Sequence, residues 1–188
     1  MVLVAPSLSA VIFKLGQCPN VAGQASLDKA QYLGRWFEYK RFPAIFEAGL
    51  DCTQAIYGDA GGKISVTNRG TLRLNFFGRR ILLSENSVEG SASIPDPSQP
   101  AELSVSFGGV DMGGNSPNYI IQDTDYTNYA VVFSCAQFPG FNFQFAWILT
   151  RSPGVAPSNL ATLESNLSAA GVDVSKFMLV DQTDCPVR

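Results

Sequence analysis

Cys18, Cys52, Cys135 and Cys185 are the only cysteines of the chain, widely separated and with no C-x-x-C pair among them. That spacing suits neither a metal finger nor a dithiol redox site. An even number of distant cysteines in an acidic, lysine-poor chain reads instead as two long-range disulfides made in an oxidising compartment. Three pairings are open on arithmetic alone, and four buried free thiols in a cytosolic protein are the alternative. Histidine is absent altogether. Its absence removes the usual general base, the usual metal ligand and the usual switch near neutral pH. Histidine-dependent triads, zinc hydrolases and histidine-ligated haem are excluded, and no metal site is expected.

What remains is recognition of apolar molecules. Phe143, Phe145, Trp147 and Leu149 alternate with Gln144, Ala146, Ile148 and Thr150, so a strand there lays its aromatic residues on one face. Such a wall is either packed core or the lining of an apolar site. Without histidine, a switch between about pH 5 and 7 needs a carboxylate raised by burial. Glu38 is the candidate, because strand parity puts it on the face of Trp36, along with Lys40. Lys and Arg number 13 against 16 Asp and Glu, a net charge of −3 with no basic block, which argues against a nucleic-acid partner.

These residues need elements to hold them. At 188 residues, 46% hydrophobic and 15% charged, the chain has the makings of one domain with a sizeable core. Eight short apolar or alternating runs, at 35–41, 52–59, 63–69, 80–92, 101–108, 118–123, 129–135 and 143–150, are separated by Gly, Pro, Asn and Asp. They predict a meandering antiparallel sheet. Leu160, Leu163 and Leu167 have helical period, with Pro157 in a first turn and Gly171 as a stop. The fold class is therefore all-β with one C-terminal α-helix packed outside. Eight antiparallel strands can close into a barrel wide enough for one small ligand, and a two-sheet sandwich fits the count nearly as well. The apolar run up to Phe13 is too short to cross a membrane but has the length of a signal core. Residues 1–10 are read as a signal remnant or leader, and 11–188 as a single domain.

Gly34-Arg35-Trp36, Thr124-Asp125-Tyr126 and Arg151 after Trp147-Ile148-Leu149-Thr150 resemble, in order and spacing, the three signatures of the lipocalin family. Cys18-Pro19-Asn20, Asn128-Tyr129-Ala130 and the ending Asp181-Gln182 with Cys185-Pro186 extend the likeness toward its apolipoprotein D and bilin-binding branch, from about Phe13 to Pro186. The resemblance implies an eight-stranded up-and-down barrel whose closed end is plugged by Trp36 under the guanidinium of Arg151. It also implies the pairings Cys18 with Cys135 and Cys52 with Cys185.

The same resemblance implies a secreted carrier of a small hydrophobic ligand, a lipid, sterol or similar molecule. The alternative is a pigment carrier holding a bilin or carotenoid; no cofactor is otherwise required. Tyr57, Asn68 and Trp147 match pocket positions, with Tyr119 and Phe145 as weaker additions, unless Tyr57 and Asn68 merely satisfy each other. An isomerase-like lipocalin would need a free pocket thiolate. Two features depart from the pattern. Gly70 replaces an expected acid, and the 68–90 hairpin is several residues longer. That hairpin and the loops at 43–46 and 138–141 are expected to bring Phe46, Phe76, Phe77, Phe138 and Phe141 together at the mouth, with Arg79 and Arg80 beside them. The cluster would be a lid, or a surface for a membrane or for self-association.

Overall fold

The computed structural model describes residues 11–77, 79–108, 110–111 and 117–186; the expected leader, 1–10, lies outside the described residues. A short strand β1 (Ile12–Leu15) and a single helical turn α1 (Lys29–Tyr32), capped by the Asp28 carboxylate accepting from the Gln31 N–H, lead into the sheet. There follow β2 (Gly34–Arg41), β3 (Leu50–Asp59), β4 (Ile64–Phe76), β5 (Arg79–Ser93), β6 (Glu102–Phe107) and a two-residue β7 (Val110–Asp111). After them come β8 (Tyr119–Thr124), β9 (Tyr129–Phe138), β10 (Phe141–Thr150), helix α2 (Leu160–Ala169) and a two-residue β11 (Met178–Leu179).

The long strands pair antiparallel in the order β2-β3-β4-β5-β6-β8-β9-β10, and β10 returns to β2. The eight-stranded sheet is thus closed on itself, which abolishes the edges that a sandwich would leave. β10 is shared between two partners: its first half pairs with β1, Ile12 opposite Gln144, and its second half with β2, Thr150 opposite Phe37. All eight expected strands are present. β4 and β5 run past their expected ends into a hairpin that reaches Phe76 opposite Arg79. α2 starts at Leu160, where its Leu period begins, and Pro157 lies in the turn before it, its carbonyl accepting from the Leu160 N–H. Gly171, at φ +91°, ends it as expected.

Alternation builds two apolar layers. Ala130 and Val132 join Trp36, Val66, Leu103, Ile121 and Leu149 inside the barrel, whereas Val131, Phe133 and Ala146 face out beneath Leu163 and Leu167 of α2. One irregularity decides the contents of the interior. Opposite β10, Ile148 pairs with Lys40 but Leu149 pairs with Glu38, leaving Tyr39 as an extra residue in β2. A one-residue bulge reverses the facing of everything beyond it. Lys40 therefore does not point inward, as strict alternation requires, but bonds Glu164 of α2 at 2.7 Å. Arg41 turns into the barrel instead and is buried.

Two disulfides tie the chain ends to the wall, Cys18 to Cys135 on β9 and Cys52 on β3 to Cys185, across 117 and 133 residues of chain. Loops of this length contribute about 4–5 kcal/mol each in the chain-entropy treatment. Replacing Cys52 and Cys185 together by Ala should lower the urea unfolding free energy by roughly that amount, with ligand-site residues unaltered. A loss below about 1 kcal/mol would mean that the tail is held by its other contacts.

Candidate functional site: a lipocalin cavity

At the closed end, Trp36 is fully buried and donates its indole N–H to the Tyr32 carbonyl at 2.8 Å. The Arg151 guanidinium lies 3.7 Å from the centre of the indole. It donates to the carbonyls of Tyr126 (2.9 Å), Arg35 (2.9 Å), Gln31 (2.7 Å), Tyr32 (3.3 Å) and Leu33 (3.0 Å). Gly34 stands at φ +97°, and a Cβ there would come 3.3 Å from Arg151 Nη1, so both conformation and space favour glycine. Asp125 Oδ1 accepts from the backbone N–H groups of Thr127, Asn128 and Tyr129, and Thr124 Oγ1 donates to the Tyr129 carbonyl. Burial raises the Asp125 carboxyl, but the bonds from Asn128 and the turn N–H groups outweigh it and hold the group below its usual range. Tyr126, at φ +66°, accepts at its hydroxyl from Gln24 and the Asp28 N–H, anchoring the chain before α1.

Above this floor lies a cavity of about 100 Å³, whose lining includes Ala55, Tyr57, Val66, Asn68, Val105, Phe107, Tyr119, Trp147 and Leu149. Four of the five expected pocket residues line it: Tyr57, Asn68, Tyr119 and Trp147. Phe145 does not; it stands above, its ring parallel to Trp147 at 6.2 Å and against Phe46 at 5.5 Å. Tyr57 and Asn68 do not bond each other. The Tyr57 hydroxyl bonds that of Tyr119 at 2.6 Å, and Tyr119 bonds Tyr32 at 3.0 Å, whereas Asn68 Oδ1 is buried with no hydrogen-bond partner. Burial pushes the Tyr57 phenol up to about 12 and those of Tyr32 and Tyr119 well above the usual value. All three are neutral hydroxyls at physiological pH.

The acids of the cavity wall are Glu38 and Glu47, the latter carried in by the short 3₁₀ turn Ile45–Glu47. Arg41 serves both from behind the wall: Nη1 donates to Glu38 Oε2 at 2.8 Å, and Nε lies 3.6 Å from Glu47 Oε2. Nη2 donates to the Glu47 and Leu50 carbonyls, and Thr53 donates to Glu38. Burial, then the neighbouring Glu38 charge, push the Glu47 carboxyl well above the usual carboxylate range, against the pull of Arg41. Glu47, which the sequence does not single out, is an acid that burial raises. Sequence reasoning missed Arg41 and Glu47, since neither a bulge nor an inward turn leaves a periodic signal. The absent acid at Gly70 has a steric cause, for a Cβ there would meet Thr53 Cγ2 at 2.9 Å and Leu50 Cδ1 at 3.1 Å.

The five mouth phenylalanines do not form one cluster. Phe46 covers the cavity; Phe138 and Phe141 stack at 5.1 Å and pack with Phe13 and Phe143; Phe76 and Phe77 meet edge to face at the hairpin tip, 55% and 91% exposed. Among the described residues no ring contact joins the three groups. Arg80 is drawn away from the tip to Asp181 and the Thr183 carbonyl in the C-terminal tail.

A model of the Lipocalin-like domain matches residues 27–182. The chain belongs to the lipocalin family. Apolipoprotein D of Mus musculus is 37% identical over 181 residues, covering 93% of this chain and 87% of that protein. Among solved structures, apocrustacyanin C1 aligns with a TM-score of 0.75 at 21% identity, over 93% of each chain. Insecticyanin of the tobacco hornworm Manduca sexta aligns at 0.72 and 26% identity, over 93% of this chain and 91% of that one. The lipocalin signatures at Gly34, Trp36, Thr124, Asp125, Tyr126 and Arg151 are those that build the closed end described above.

Replacing Arg151 by Ala removes a donor from five carbonyls and uncovers Trp36, and should cost roughly 2–4 kcal/mol in urea unfolding. Arg151→Lys should recover only part of that, because one ammonium cannot span the five acceptors. A carboxyl raised by folding stabilises the protein fully below its unfolded value, about 4.3, and that contribution is lost as pH rises through the folded value. Glu47→Gln should therefore gain stability relative to the wild type between pH 4.5 and pH 8, read from paired melting curves. A difference constant across that range would show that the fold does not favour a proton on Glu47.

Proposed function

We propose that this lipocalin is a secreted carrier of a small hydrophobic ligand, a lipid, sterol or similar molecule, held in the cavity between Trp147 and Tyr57. The observation that carries the reading is the asymmetry of β10. Asn142, Gln144, Ala146 and Ile148 on its outer face are covered, whereas Phe143, Phe145 and Trp147 on the other face remain partly exposed, Trp147 in the lining of the cavity. A packed core would bury the inner face at least as well. Two long-range disulfides support an oxidising, extracellular setting. With every cysteine bonded, no pocket thiol is left for the isomerase chemistry of the rival reading.

At about 100 Å³ the cavity is smaller than the roughly 300–1,000 Å³ of sites for drug-sized ligands. Loading therefore requires Phe46 to swing off Phe145. Phe46 is suited to this, being 64% exposed on a turn of three residues. A bilin or carotenoid demands a far larger opening, and visible absorbance of protein from its natural source tests for one directly.

Trp147→Ala should weaken binding of an apolar fluorescent probe at least tenfold, about 1.4 kcal/mol, while its melting temperature falls by only a few degrees. Unfolding of the variant, together with no probe binding by the wild type, would identify the interior as core.

A further inference from the structure

Two buried acceptors in the cavity wall lack a donor. Glu47 Oε2 makes no hydrogen bond, with Arg41 Nε 3.6 Å away, and Asn68 Oδ1 makes none either. Both residues line the same cavity. A buried acceptor without a donor costs about 1–3 kcal/mol, so a ligand able to donate there supplies a bond that no side chain of the protein supplies. The charges point the same way. Glu38 and Glu47 face the cavity, and the one guanidinium that serves them, Arg41, is not among the lining residues. Glu38 is the better satisfied of the two, accepting from both Arg41 and Thr53. Glu47 is 9% exposed, interacts with the Trp147 indole N–H, and keeps Oε2 without a hydrogen-bond donor.

We propose that the cavity selects apolar ligands whose polar end donates a hydrogen bond to Glu47 and Asn68, as an alcohol or ammonium does, and rejects fatty carboxylates. The proposal rests on the carrier reading and adds the class of polar head. In the empty cavity, burial and Glu38 favour a proton on Glu47, and a donating or cationic head takes the place of that proton. A ligand carboxylate instead brings a further negative charge beside Glu38, into a wall whose two acids share a single guanidinium, in surroundings where like charges repel strongly. The deep end is indifferent to this choice. The hydroxyls of Tyr32, Tyr119 and Tyr57 form a chain with two bonds for three protons, so Tyr57 can donate to a ligand acceptor or accept from a ligand donor.

Three ligands with the same twelve-carbon tail, dodecanol, dodecylammonium and dodecanoate, separate the effects when titrated at pH 8 against Trp147 fluorescence, with pyrene as a headless probe. The wild type should bind the alcohol and the ammonium at least tenfold more tightly than the carboxylate. Glu47→Gln, which keeps the volume and supplies a donor, should bring dodecanoate to within about threefold of dodecanol. Asn68→Leu should weaken dodecanol severalfold and leave pyrene unchanged. Dodecanoate binding as tightly as dodecanol to the wild type, with pyrene bound, would overturn the head-group selectivity alone. Failure of all four to bind would overturn the carrier reading and the selectivity with it.

Discussion

The pairing of β2 with the second half of β10 closes the sheet, and the extra residue Tyr39 within it determines what the cavity receives. In a closed barrel every inward position is shared between few strands, so a one-residue slip replaces one side chain by another of opposite character. Here it sends Lys40 out to Glu164 and brings Arg41 in to Glu38 and Glu47. Without the bulge the lumen would hold a lysine ammonium on a flexible stem. With it, the lumen wall holds two carboxylates steered by a guanidinium that is itself fixed by the Glu47 and Leu50 carbonyls.

The closed end depends on a different kind of constraint. Backbone carbonyls at 31, 32, 33 and 35, around the start of β2, and at 126, in the turn before β9, converge on one point. The planar fork of Arg151 donates to all five while lying over Trp36. One side chain thereby joins the turn before β2 to the turn before β9, and fixes the floor on which the Tyr32, Tyr119 and Tyr57 hydroxyls are built. Cys18–Cys135 and Cys52–Cys185 hold the chain ends against the same barrel, one from each side of the fold.

The end of the barrel at Phe46 is built from fewer contacts than the closed end. Phe46 sits on a three-residue turn and makes its aromatic contact with Phe145 alone, while the turn's last residue, Glu47, reaches into the cavity. The same turn therefore carries both the ring that covers the cavity and an acid of its wall. The long β4–β5 hairpin is tied toward its tip by Arg73 and Arg80 to Asp181 and leaves Phe76 and Phe77 in solvent.

Much was legible before any coordinates. The alternation in β10, the spacing of the eight runs and the signatures around Trp36, Asp125 and Arg151 are local patterns, and local patterns survive in one dimension. So the barrel, the outside helix and the resemblance-based disulfide pairing could be read directly, as could the inward placement of Tyr57, Asn68, Tyr119 and Trp147. The tertiary structure alone decided the electrostatics of the cavity. Glu47 is brought in by a short 3₁₀ turn outside any strand, and Arg41 lies beyond a bulge that no periodicity announces. Parity predicts facing only as far as the ladder is regular, and it breaks at Tyr39, where β2 pairs with β10 to close the barrel.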